Sequence, residues 1–73
     1  MRYINDIDFQ IIYINNEINI INYERINYME DSKISISYKN GTVIILGENL
    51  RAKKLLDDEI IIAGTFNNVE FRK

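Results

Sequence analysis

Residues 34–38 (ISISY) alternate apolar and polar side chains with the two-residue period of a β-strand. Ile34, Ile36 and Tyr38 point one way, Ser35 and Ser37 the other. Asn40-Gly41 follows, the strongest short hairpin signal, because both central residues of a type I′ turn take φ > 0. Residues 42–46 (TVIIL) then return. A two-residue loop at that point pairs Lys39 with Thr42, Tyr38 with Val43 and Ile36 with Ile45. Opposite residues share a face of the sheet, so Val43 and Ile45 join Ile34 and Ile36 in a core. Ile44 and Leu46 go to the serine face.

The same alternation runs along the chain. Residues 6–14 (DIDFQIIYI) put Ile7, Phe9, Ile11 and Tyr13 on one face, and Asn15-Asn16-Glu17 breaks the pattern as a turn. Residues 18–23 start a second strand, which continues at residues 26–28 after a break. Polar residues 30–33 read as another turn. Residues 50–56 (LRAKKLL) fit two templates. Leu50 and Ala52 alternate with Arg51 and Lys53, as in a strand, whereas Ala52, Leu55 and Leu56 suit a short helix. The strand is favoured, ending near Lys54 before a turn at Asp57-Asp58-Glu59. Residues 60–63 form a strand that Gly64 interrupts, and residues 69–71 close the chain.

One pattern occurs three times: two apolar alternations, a Gly or Asn, a short polar gap, then a further alternation. Its copies start at Ile18, Val43 and Ile60, with Asn22, Gly47 and Gly64 at the break. Gly and Asn best tolerate φ > 0 and mark corners or bulges where a strand bends. A bend at Gly47 is expected to bring Leu50 and Ala52 back to the core. The expected architecture is all-β: a single small antiparallel sheet of bent strands rolled into a barrel or a two-layer sandwich. A short β-solenoid is the alternative, against which the uneven spacing of the repeat argues.

With 73 residues, the chain is expected to form one domain, residues 1–73. A chain of this size buries only about 60% of the surface it exposes when unfolded, so there is one core. Cysteine, histidine and tryptophan are absent. That rules out a Ser-His-Asp triad, a thiol nucleophile and a Cys/His zinc site. Asp57-Asp58-Glu59 lacks the alternating oxygen-ligand spacing of a calcium loop and reads as a solvated turn. Neither Gly47 nor Gly64 stands in a phosphate-loop motif. No catalytic residue, metal site or cofactor is expected, and no small-molecule substrate is evident.

Net charge is −2, which does not favour a nucleic-acid partner. Arg51, Lys53 and Lys54 are the main basic grouping, with Arg72 and Lys73 behind them. A basic groove with stacking aromatics is the form that nucleic-acid binding would take on a small barrel. Exposed lysines at a strand edge also block unwanted pairing. The longest apolar runs are too short to span a membrane, and the opening MRYINDIDFQ lacks a signal-peptide pattern, so a cytoplasmic protein is expected. Ile44, Leu46 and Ile61 are the candidate interaction surface. Scattered surface aliphatics are ordinary, whereas a contiguous group marks a partner or self-association surface.

The ordered set of motifs resembles the YabP/YqfC family of sporulation proteins. Residues 14–28 (INNEINIINYERINY) are similar to its opening, with Asn22-Tyr23 where the family carries Asn-His or Asn-Tyr. Residues 34–55 (ISISYKNGTVIILGENLRAKKL) resemble its central block, with Gly41, Gly47 and Leu50 in register. Residues 59–71 (EIIIAGTFNNVEF) resemble its closing block through Glu59, Ile60, Ile62, Gly64, Val69 and Phe71. Tyr23, Ala52 and Phe66 are departures, and the YqfC-like branch looks closer. The resemblance covers roughly residues 9–71. It implies a non-enzymatic sporulation protein of an endospore-forming Firmicute, acting in the mother-cell cytoplasm through protein–protein contact in spore formation or spore-envelope assembly. It carries no catalytic residues over. A small β-barrel nucleic-acid-binding module is the alternative.

Overall fold

The computed structural model describes residues 9–73. The start of the strand expected over residues 6–14 lies outside the described residues. Six strands follow in chain order: β1 (Gln10–Ile14), β2 (Glu17–Ile21), β3 (Arg25–Met29), β4 (Lys33–Tyr38), β5 (Gly41–Leu55) and β6 (Glu59–Arg72). They form one sheet in the order β1-β2-β6-β5-β4-β3, with every neighbouring pair antiparallel. Antiparallel pairing throughout differs from the parallel stacking of a β-solenoid.

The long hairpin of β5 and β6 is the spine. The first part of β5 pairs with β4 on one side and with the end of β6 on the other, from Thr42↔Arg72 to Leu46↔Asn68. The last part of β5 pairs with the start of β6, from Arg51↔Ala63 to Leu55↔Ile60. There β2 takes the other side of β6, from Glu17↔Ala63 to Ile21↔Glu59. The sheet thus has two halves, one flanked by β4 and β3, the other by β2 and β1.

Two register shifts separate the halves, at Leu46/Gly47 and Glu48/Arg51, and a third, at Ala52/Lys54, lies just inside the second half. Bulges of this kind bend a strand and increase its twist. Positive φ occurs beside them, 55° at Asn49 and 141° at Gly64. The bend lets both halves share one core. Ile18, Ile20, Ile60 and Ile62 from one half cluster with Ile34, Ile36, Val43 and Ile45 from the other, and Leu50 joins them from the bend. Seven of these side chains are 0% exposed, which one face of a flat sheet cannot achieve without a cover. Burying each stabilises the fold by about 1.5–3 kcal/mol.

The three repeat units placed their first alternations correctly: Ile18/Ile20, Val43/Ile45 and Ile60/Ile62 are all core. Several finer expectations are corrected. The β4–β5 turn is Lys39-Asn40, and the register is Tyr38↔Gly41, Ile36↔Val43 and Ile34↔Ile45. Gly41 is a strand residue, and it must be glycine because the Arg72 carbonyl oxygen occupies the space a Cβ would need. The shift amounts to two residues, so every side chain keeps its expected face. The pair with positive φ is instead Asn15 (54°) and Asn16 (62°), which close the β1–β2 hairpin, the pattern of a type I′ turn.

The strand runs on through Gly47, and the positive φ falls two residues later at Asn49. Leu50 reaches the core as expected, but Ala52 is exposed. Residues 51–55 are strand. Residues 26–28 do not extend the second strand. Asn22, with φ 66°, turns the chain away, and β3 becomes the opposite edge of the sheet. Main-chain bonds hold this crossover. Asn22 N–H donates to the Asp58 carbonyl at 2.6 Å and Glu24 N–H to the Ser37 carbonyl at 2.8 Å. The β3–β4 turn is tied to the bend of β5 by Gly47 N–H to Ser32 O (3.1 Å) and Leu50 N–H to Asp31 O (2.8 Å).

Truncating Ile36→Ala or Ile45→Ala is expected to cost about 2–5 kcal/mol, read from urea unfolding. At Gly64 a Cβ would lie 2.7 Å from the Asn49 carbonyl oxygen, on a backbone that L-residues rarely adopt. Gly64→Ala therefore lowers the unfolding midpoint and Gly64→Val lowers it further. Wild-type midpoints in both variants would remove the bend from Gly64.

Candidate functional site

The outward face of the first half is a checkerboard. Its cross-strand rows are Ile12–Asn19–Ile61–Lys54 and Ile14–Glu17–Ala63–Arg51, with Ile21 beside Gln10 and Glu59. Ile12 is 37% exposed and Ile14 58%, while Ile21 and Ile61 are half-buried. Polar neighbours frame these apolar groups. Lys53 Nζ pairs with Glu17 Oε2, and Asn19 Nδ2 donates to Glu59 Oε2 at 3.3 Å. Exposed ion pairs of this sort contribute about 0–1 kcal/mol, so the frame orients more than it stabilises.

The outward face of the second half is polar around one isoleucine. Ile44 lies between Ser35 and Glu70, and Leu46 between Lys33 and Asn68. Arg25 Nε donates to Asn27 Oδ1 (2.9 Å), and Asn27 Nδ2 donates to Ser37 Oγ (2.8 Å), satisfying a hydroxyl on a buried residue. Ile44 is only 8% exposed, and Leu46 is half-buried. Ile44 and Leu46 therefore belong together. Ile61 lies seven residues from Asn68, the partner of Leu46, along β6, which is roughly 23 Å of strand. Its cross-strand neighbours are Asn19 and Lys54; Ile12 lies beyond Asn19 in the same row and Ile14 in the next row, and the sequence pattern did not single out the exposure of either.

Arg51, Lys53 and Lys54 are exposed on the last part of β5. Arg51 Nη1 donates to the Asn49 carbonyl, and Lys53 is engaged by Glu17. The exposed aromatic of that half, Tyr13, stands on β1, three strands away across the sheet. Three inter-strand steps are roughly 14 Å. Tyr13 instead packs edge-on against Phe66 at 5.8 Å. These two border an open groove of about 590 Å³ between β1 and the end of β6, lined also by Ile11, Val69 and Phe71. Phe71, in the segment expected to close the chain, is 59% exposed on this groove. Alternation assigned its face correctly, but nothing in the pattern reveals that the cover stops short of it.

The carboxylates of the β5–β6 turn act on a tyrosine. Tyr23 Oη donates to the Leu56 carbonyl at 3.0 Å. Burial first, then the charges of Asp57 and Asp58, push its phenol above the ordinary value. At Tyr28 a hydrogen bond with Glu30 acts first in the same direction. Among the described residues, no group of three or more Asp or Glu side chains is placed to hold a metal ion, and no helix is long and apolar enough to cross a membrane.

Comparison with known families matches residues 10–73 to the YabP family. Searches of curated proteins and of solved structures each find no match. The match spans nearly the whole chain, and the chain belongs to the YabP family of sporulation proteins. That membership fits a small protein that works without catalysis.

Tyr23 supplies a pH test. A phenol raised in the folded state adds stability that is present below the ordinary tyrosine value of about 10 and is lost as pH rises through the folded-state value. Absorbance titration should show Tyr23 and Tyr28 ionising late, and Tyr23→Phe should remove one late phenol together with part of the alkaline loss of stability. Loss of that phenol from the ordinary transition, with the late phase unchanged, would place Tyr23 in an ordinary environment.

Proposed function

We propose that this YabP-family protein acts in the mother-cell cytoplasm of an endospore-forming Firmicute, by protein–protein contact in spore formation or spore-envelope assembly. The observation that carries this reading is the set of outward isoleucines Ile12, Ile14 and Ile61 on one half of the sheet, standing among polar side chains. Exposed apolar side chains gathered on one face among polar residues are a usual mark of a contact surface. Ile44 and Leu46 form a second, flatter part of the same outward face. In this reading the bent sheet rolls into a small barrel or two-layer sandwich, so that its outward face is presented on all sides.

The nucleic-acid reading would need Arg51, Lys53 and Lys54 to work beside stacking aromatics, and the separation of Tyr13 from them disfavours it. Such binding would weaken steeply with salt. Absence of a shift of labelled RNA or DNA at low salt disposes of it.

Deleting the gene in its host is expected to lower the count of heat-resistant spores, and the wild-type gene to restore it. Ile14→Ser/Ile61→Ser should keep its unfolding midpoint within a few degrees and fail to restore the count. A normal count in the deletion strain, or full rescue by the stable double variant, would contradict the contact reading.

A further inference from the structure

The geometry points to self-association through the end of β6: a second copy of this chain pairs its β6 edge antiparallel with this one. Three observations meet there. First, β2 reaches only Glu59–Ala63 of β6, so residues 65–72 have β5 on one side and, among the described residues, no strand on the other. An edge of this kind presents a row of unpaired backbone donors and acceptors to any incoming strand. Second, Phe71 is 59% exposed on that edge, and it borders the groove with Tyr13 and Phe66. Third, the charges near the edge are self-complementary. Glu70 and Arg72 lie on the same face, with Arg72 Nη2 bonded to Glu70 Oε1 at 3.0 Å.

A two-fold antiparallel pairing fixes the sum of the residue numbers that oppose each other, and opposed residues must share a face. Centring the axis on Glu70 sets two carboxylates against each other. Centring it on Val69 sets Glu70 against Asn68 and leaves Arg72 without an acid. Centring it on Phe71 sets Glu70 of each copy against Arg72 of the other, twice, and stacks the two exposed phenylalanines as a cross-strand pair. The intrachain pair then becomes a closed ring of four alternating charges. The charge pattern thus selects a second copy in that register. This surface is separate from the outward group of Ile12, Ile14 and Ile61, and it stands or falls independently of any effect on spores.

Sedimentation across a concentration series tests it. Wild type is expected to convert from monomer to dimer as concentration rises. Glu70→Arg alone, or Arg72→Glu alone, sets like charges opposite each other at both symmetric positions and should weaken the dimer about tenfold or more. Glu70→Arg/Arg72→Glu restores opposite charges and should restore the dimer. Circular dichroism melts, expected to be unchanged in all three, exclude unfolding as the cause. A wild-type chain that is monomeric at every concentration would overturn the proposal and leave the edge to a strand of another protein. So would a dimer indifferent to both single changes, or one that the double change fails to recover.

Discussion

The pairing of β5 with β6 is the constraint on which the rest of the structure depends. These two strands run through both halves of the sheet; β2 attaches to one end of them and β4 to the other, with β1 and β3 outside. A chain of 73 residues has too little material for two separate layers with their own connections. Bending two long strands at bulges makes one sheet serve as its own cover. The isoleucines from both ends then meet, the main-chain bonds from Gly47 and Leu50 lock the β3–β4 turn against the bend, and the bond from Asn22 ties the crossover to the β5–β6 turn. No disulfide takes part in holding this arrangement.

Much of this fold is legible in the residues. Two-residue alternation places Ile18, Ile20, Ile34, Ile36, Val43, Ile45, Ile60 and Ile62 on the inner face without reference to pairing. That is why a wrong hairpin register still assigned every face correctly. Turn positions were harder, since Asn-Gly carries a strong local preference that tertiary packing overrode. Gly41 was needed where the Arg72 backbone comes close, so the turn moved back by one residue and the pairing register by two. The crossing of the chain from β2 to β3 was also illegible. Asn22 announces a corner, but a corner does not state which edge of the sheet the chain will reach.

The candidate site was legible only in part. Alternation identified Ile44, Leu46 and Ile61 as outward aliphatics, and they do lie on the outward face. Their exposure depends on neighbours that sequence spacing does not order. Ile44 is covered among Ser35, Glu70 and the polar network of Asn27, whereas Ile14 stands at an edge and is open. The groove beside Phe66 and Phe71 exists because β2 ends five residues into β6, and no local pattern encodes where a neighbouring strand stops. A protein built this way offers surfaces and edges instead of a pocket of reactive groups. That agrees with membership of the YabP family and with an inventory of side chains lacking histidine and cysteine.

The shared core is the claim from which the outward face, the groove and the open β6 edge all follow. Methyl-to-methyl nuclear Overhauser contacts in a sample labelled at isoleucine, leucine and valine test it directly. Contacts are predicted between the set Ile18, Ile20, Ile60, Ile62 and the set Ile34, Ile36, Val43, Ile45, with Leu50 touching both. Contacts confined within each set would mean that the two halves do not close on each other, and would contradict the account.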